Sequence, residues 1–263
     1  MKHIVQYSGG VCSFFAAKRV VEKYGKENVI LLFCDTLIED EDLYRFIKDS
    51  VKYLGCDFVR VADGRTPFQV YKDVNFLGNS RVAHCTKILK IKQARDWLKA
   101  NYKPEDCVLY LGIDWTETHR KPAIIKNWSP YKVEFPMCDK PLVDKWQMQQ
   151  DLKQLGIELP RLYKLGFAHN NCGGFCCKAG QGHWVKVLQT MPEKFKKWEE
   201  KEEEVRRSIG KDVAMMKKTK NGVTSPYTLK QLRLDYEHNE QLDLFDIGGC
   251  GCFSEDTGDV WNE

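Results

Sequence analysis

Five of the eleven cysteines in this 263-residue chain fall in two short glycine-rich stretches: Cys172, Cys176 and Cys177 in "NCGGFCCKAG", and Cys250 and Cys252 in "GGCGCF". Thiolates are the soft ligands of zinc and of iron–sulfur clusters, and glycines between them let a loop turn several sulfurs toward one centre. A second pair far along the chain can complete four ligands, and closed four-thiolate zinc is the simplest site of that kind. Cys85 stands apart in "GNSRVAHCTKILKIKQ", ahead of Lys87, Lys90 and Lys92, whose charge suits a phosphate or sulfate. His169 and His183 flank the Cys172 loop and read as packing or hydrogen-bonding neighbours. Cys34 and Cys107 lie in strand-like runs, where a thiol behaves as a small apolar group, and Cys56 and Cys138 read as isolated packing or surface positions.

The second marked stretch is "QYSGGVCSFFAAKRV", Gln6 to Val20, which runs from a strand-like "HIVQY" into an amphipathic segment. A Ser-Gly-Gly turn between strand and helix gathers backbone N–H groups into one concavity, and the helix N-terminus adds partial positive charge. Such a turn is an anion site. Gly9 and Gly10 let the backbone approach a ligand, and Ser8 and Ser13 supply hydroxyls. The Gly-Lys-Ser/Thr ending of an ordinary phosphate loop is missing, and Cys12 reads as a small helix-start residue.

On these residues the chain resembles the PP-loop ATP pyrophosphatases, the superfamily that also holds the adenylyl-sulfate and phosphoadenylyl-sulfate (PAPS) reductases, with an adenine nucleotide alpha hydrolase-like fold. Its Ser-Gly-Gly-x-Asp-Ser pattern is met by Ser8, Gly9, Gly10, Val11 and Ser13, with Cys12 in place of the Asp. The "FCDT" segment, with Asp35 and Thr36, resembles the part that closes over adenosine. "LGIDWTETHR", with Gly112, Ile113, Asp114 and Arg120, resembles a later nucleotide-contacting loop. The resemblance implies an enzyme of sulfur metabolism that binds ATP with Mg²⁺, or an adenylyl sulfate, and adenylates a substrate for sulfur transfer. It also implies a [4Fe-4S] cluster on Cys85, Cys172 and Cys176, with the fourth ligand among Cys177, Cys250 and Cys252, Cys250 being the first choice. Lys87 and Lys90 are expected to meet phosphate or substrate, and Cys250 or Cys252 to act as a nucleophile on a C-terminal tail. Two alternatives remain: a thiol-dependent, sulfite-forming PAPS or adenylyl-sulfate reductase, and a non-catalytic nucleotide-binding protein with structural zinc. The expected partners are a nucleotide, a small-molecule or nucleobase substrate and a thiol or persulfide donor. No nucleic-acid module is recognisable.

Elements able to hold these groups follow from periodicity. "HIVQY", "NVILLFCDT", "CDFVRVAD" and "DCVLYLGID" read as strands, separated by helical stripes through Phe14 to Tyr24, Leu43 to Leu54 and Ile88 to Leu98. Alternation at this spacing predicts an α/β fold: an open, mostly parallel sheet with helices on both faces. The boundaries expected are 1–135 for this nucleotide-binding layer and 136–263 for a helical, Cys-rich C-terminal region. There, a helix around Trp146 to Leu155 precedes the Cys loop, and "EKFKKWEEKEEEVRRSIG" reads as a solvated charged helix. Forty-one basic against 37 acidic residues leave a net charge of +4, which permits a polyanion partner without requiring one. No apolar run is long enough to span a bilayer, and the N-terminus reads as a strand rather than a signal segment, so a cytoplasmic protein without membrane contact is expected.

Overall fold

The computed structural model describes residues 1–78 and 83–248. The strands are β1 (Lys2–Gln6), β2 (Val29–Asp35), β3 (Asp57–Ala62), β4 (Cys107–Leu111), β5 (Lys132–Glu134), β6 (Met216–Lys220) and β7 (Val223–Tyr227). The helices in the first half are α1 (Val11–Tyr24), α2 (Glu41–Leu54), α3 (Pro67–Asp73), α4 (His84–Thr86), α5 (Gln93–Asn101) and α6 (Lys121–Trp128). Those in the second half are α7 (Lys145–Gln154), α8 (Arg161–Lys164), α9 (Gln181–Thr190), α10 (Pro192–Ile209) and α11 (Leu229–Glu237). Between α4 and α5 the segment Lys87–Lys92 is a π-helical turn. No helix among the described residues is long and apolar enough to cross a membrane.

The chain forms two compact units. One contains Met1–Gly64 and Ile88–Gly174; the other contains Arg65–Lys87 and the described residues from Phe175 onward. Residues 136–174 thus fold with the first unit.

The first unit is a five-stranded parallel sheet in the order β3-β2-β1-β4-β5. All four strands expected from the sequence are present, and β5 adds a fifth. Every residue of β2, "VILLFCD", is buried, as a central parallel strand covered on both faces requires. Alternation along β1 sends Val5 into a core with Phe14, Ala17 and Val20 of α1, Phe46 of α2 and Met148 and Leu152 of α7. Ile4 faces the opposite core, with Ala94 and Leu98 of α5 and Ile124 and Trp128 of α6. The chain leaves β1 toward β2 and β3, then returns to add β4 on the other side of β1. That reversal puts a topological switch at the carboxyl end of β1, where open α/β sheets form their ligand crevices.

The second unit packs on aromatic rings. The Phe175 ring lies 4.8 Å from Phe68, 5.7 Å from Trp184 and 5.6 Å from Trp198. Helix α10 buries Phe195, Trp198 and Val205, and its charged sequence conceals one exception: Glu202 lies in the same stripe and is 0 % exposed. Its carboxylate accepts the backbone N–H of Met215 at 3.0 Å and of Leu229 at 2.6 Å, fixing the chain before β6 and the start of α11 to α10. A further contact fixes the end of the described chain. Asp246 accepts the Gln181 N–H at the N-terminus of α9, and a β-carbon on Gly248 would stand 2.2 Å from the Lys178 carbonyl oxygen.

Candidate functional site

The turn Ser8–Gly10 joins β1 to α1 at the switch point. Gly9 adopts φ +72°, a conformation that L side chains resist, and its carbonyl accepts the Asn170 Nδ2 hydrogen at 3.0 Å. Geometry leaves the first-turn N–H groups of α1 without intrahelical acceptors. Here the Gly10 N–H donates to Ser13 Oγ at 3.2 Å, and Ser13 Oγ donates back to the Gly10 carbonyl at 2.8 Å. Ser8 Oγ donates to Ser13 Oγ at 3.3 Å. The Val11 N–H goes to the Tyr163 hydroxyl at 3.2 Å. From the neighbouring strand, Gly112 closes on the same turn: a β-carbon there would lie 2.7 Å from Ser13 Cα. Below the turn Gln6, 4 % exposed, has neither amide atom hydrogen-bonded.

Cys12 lies beside a carboxylate brought from elsewhere. Its Sγ is 3.9 Å from Asp114 Oδ2, which in turn lies 3.6 Å from Lys145 Nζ at the start of α7. Burial pushes the Cys12 thiol up to about 12, against the pull of Lys145, so it stays protonated near neutrality despite the positive helix end. Burial also acts to raise the Asp114 carboxyl, but hydrogen bonds from the Thr116 hydroxyl and N–H, with the Lys145 charge, leave it below its usual value and ionised. Ile113 is buried at 6 % exposure, and Arg120 pairs with Glu117 at 2.5 Å.

Asp35 and Thr36, expected at the nucleotide, have partners of their own. Asp35 is fully buried and takes Arg60 Nη2 at 2.6 Å, the Tyr44 hydroxyl at 3.0 Å and the Leu37 N–H at 2.8 Å. Thr36 donates to Glu39 Oε1 at 2.9 Å, and its Oγ1 is 3.9 Å from Cys172 Sγ. Glu39 also accepts the Cys172 N–H; burial raises its carboxyl, against the charge of Lys90 and those hydrogen bonds. Lys90, 5 % exposed, therefore acts on Glu39 rather than on open solvent. Lys87 belongs to the second unit, beside His84, whose pKa is lowered by burial and by the Lys87 charge.

The thiols divide between the units. Cys172 belongs to the first; Cys85, Cys176 and Cys177 belong to the second. Within the second, Cys177 faces Cys85, with the sulfurs 3.8 Å apart and Cys177 buried at 4 % exposure. The hydrogen bond to Cys85 raises the Cys177 pKa first, and burial adds to it; the buried Tyr71 hydroxyl adjoins both thiols. Cys250 and Cys252 lie outside the described residues. Among the described residues no three His, Cys, Asp or Glu side chains converge as metal ligands. Cys176 acts electrostatically on Cys177 beside this pair. The His183 ring packs edge-on at 5.8 Å from Trp184.

Cys34, Cys56 and Cys107 are buried, and burial pushes their thiols up to about 12, 11 and 11, as small apolar residues would be. Tyr163, Asn170 and Lys145 surround the turn without any local motif to announce them. They reach it across 152, 161 and, through Asp114, a comparable span of sequence.

No protein-family model and no curated protein matches the chain. Solved structures similar to it include the NH3-dependent NAD synthetase of Campylobacter jejuni subsp. jejuni NCTC 11168 in complex with nitrate ion, at 14 % identity and a TM-score of 0.40, covering 80 % of this chain and 84 % of that one. They also include the phosphoadenylyl-sulfate (PAPS) reductase of Candida auris in its phosphate complex, at 14 % identity and a TM-score of 0.45, covering 64 % of this chain and 79 % of that one.

Proposed function

We propose that the chain is a nucleotide-dependent enzyme of the PP-loop kind, which seats the phosphates of ATP or of an adenylyl sulfate on residues 8–13. The observation that carries this reading is the Ser8–Gly10 turn itself, with Gly9 at φ +72° and the N-terminus of α1 opening at the carboxyl end of the strand where the sheet order reverses. Backbone N–H groups in such a turn stabilise phosphate charge without side-chain reorganisation. Gly112, Ile113 and Asp114 follow the adjacent strand β4 directly and Thr36 follows β2; with Arg120 and Lys90 they are the residues we assign to the nucleotide.

The reaction we infer is adenylation followed by sulfur transfer. A substrate oxygen attacks the α-phosphorus, the bond to the bridging oxygen breaks and pyrophosphate leaves, its charge one that a bound Mg²⁺ would offset; the terminal sulfur of a persulfide then forms a bond to the substrate carbon as the carbon–oxygen bond to AMP breaks, and a second thiol cleaves the S–S bond, leaving a disulfide. The polypeptide's part is to hold the triphosphate and orient the attacking atom. The dithiol Cys85–Cys177 supports placing the sulfur chemistry on the second unit. Gly248, two residues before Cys250 in sequence, lies against Lys178, which follows Cys177 directly. Iron–sulfur ligation by these cysteines is part of the proposal, and zinc is its alternative.

Three measurements test the reading. Titration with ATP, pyrophosphate and adenylyl sulfate should show binding that is lost when Gly9 and Gly10 are both replaced by valine; wild-type protein that binds none of the three would end the nucleotide reading. Release of pyrophosphate from ATP, rather than sulfite from an adenylyl sulfate, separates adenylation from reduction. Metal and sulfide analysis of anaerobically purified protein separates a cluster from stoichiometric zinc.

A further inference from the structure

The N-terminus of α1 already holds an oxygen. Tyr163 brings its hydroxyl to 3.2 Å from the Val11 nitrogen, and a β-carbon on Gly10 would lie 3.3 Å from the same oxygen. The hydroxyl therefore sits over two consecutive residues of the turn, where an oxygen of a bound anion would accept hydrogen bonds from the helix end. A second group on the same stretch of chain faces the turn. Asn170, 1 % exposed, uses Nδ2 to hold the Gly9 carbonyl and leaves Oδ1 buried without a partner. An acceptor enclosed beside an anion cradle and unused by the protein is a group waiting for a donor, as a ligand hydroxyl or an ordered water would provide.

We propose that the Tyr163 hydroxyl holds the place of a ligand oxygen in the Ser8–Ser13 cradle and sets the affinity of that cradle for phosphate-bearing ligands. The inference rests on the nucleotide reading above. A phenolic oxygen is a neutral acceptor and a phosphate oxygen a charged one, so the anion takes over the Val11 N–H and the hydroxyl yields it. Part of each ligand's binding strength is then spent on that exchange. Tyr163 also packs its ring against the core formed by α1, α2 and α7, so replacing it by Phe removes the oxygen and keeps the packing.

The test is calorimetric titration of the full chain with inorganic pyrophosphate and with ATP, for the wild type, Tyr163→Phe and Tyr163→Leu, alongside the thermal midpoint of each. Loss of the competing hydrogen bond should tighten pyrophosphate binding by about three- to tenfold in Tyr163→Phe, with the same direction in Tyr163→Leu. Equal or weaker binding by both variants overturns the proposal. A hydroxyl that served only to brace the helix would lower the midpoint and leave affinity unchanged. Failure of the inference and failure of the nucleotide reading are distinguishable. Wild type that binds both probes, with no gain in the variants, ends the inference alone, whereas binding by none of the three proteins ends both.

Discussion

Replacing Gly112 by alanine probes how tightly β4 closes on the anion turn. The added carbon would stand 2.7 Å from Ser13 Cα, 2.8 Å from Ser13 N and 2.9 Å from the Cys12 carbonyl carbon. All three are backbone atoms, so no side-chain rotation relieves the contact; either the first turn of α1 or the end of β4 must move by roughly half an ångström or more to restore an ordinary van der Waals distance. Overpacking of this kind costs about 1–3 kcal/mol, offset by about 0.4–1 kcal/mol because alanine restricts the unfolded chain more than glycine does. The net expectation is a loss of about 1–2 kcal/mol, or a few degrees in the melting midpoint of a chain this long. Affinity should suffer more than stability. The displaced atoms carry N–H groups that would face a phosphate in the proposed cradle, and hydrogen bonds weaken steeply with misalignment. Circular dichroism against temperature and a pyrophosphate titration, run on the same preparation, measure the two effects. A Gly112→Ala protein with wild-type midpoint and wild-type affinity would refute the close approach of β4 to the cradle.

Three other outcomes follow from buried groups. Burial pushes the Glu202 carboxyl up to about 7, against the pull of its two backbone N–H donors; the native state thus binds its proton more tightly than the unfolded chain, whose carboxyl titrates near 4.5. Its contribution to stability is complete below the unfolded value and is lost as pH rises through the folded one, by about 3 kcal/mol in all; the urea midpoint of wild type relative to Glu202→Gln should fall between pH 5 and 8, and a flat or rising difference counts against the assignment. The Cys12 thiol, raised to about 12, should resist alkylation in native protein at pH 8, and Cys12→Ala should bind pyrophosphate as wild type does; rapid labelling there would contradict its burial. Gln6→Leu should raise stability by about 1–3 kcal/mol by removing two enclosed and unpaired polar atoms, whereas a loss would show that the amide has a partner.

The parallel sheet was legible because each of its first four strands is an apolar run bounded by turn residues, and the helices between them carry stripes at helical spacing. Strand β5 was not, since three residues paired only with β4 carry no periodicity of their own. The β6–β7 hairpin had a signal: Asn221 and Gly222, at φ +52° and +77°, form the Asn-Gly turn that joins antiparallel strands, but the flanking "MKKTK" and "VTSPY" are too polar to read as strands. The assembly of residues 65–87 with the chain beyond 175 rests on contacts such as Phe68 with Phe175 and Cys85 with Cys177, which no local pattern encodes. The candidate site divides in the same way. Ser8 to Ser13 are contiguous, so their turn between strand and helix was legible as a local pattern. Asp35 and Lys90 also stood in the sequence, but their partners, Arg60 and Tyr44 for one and Glu39 for the other, come from separate elements that no local pattern announces.

Position 12 shows how charge at the cradle is arranged. Where the resembled pattern has an aspartate, this chain has a protonated thiol, and the nearest carboxylate arrives instead from the end of β4 as Asp114. That carboxylate is ionised, but Lys145 faces it at 3.6 Å, so the two side chains together add little net charge beside the turn. Arg120 is likewise paired with Glu117, and Lys90 acts on Glu39. In the proposed cradle, with these described basic side chains paired, attraction for an anion at residues 8–13 would draw on the backbone N–H groups and the partial charge at the end of α1, which act over short distances and only when correctly aligned. A cradle of that kind is sensitive to whatever already occupies its donors. If the proposed cradle binds phosphate, the oxygen of Tyr163 and the closeness of Gly112 should accordingly bear on its affinity.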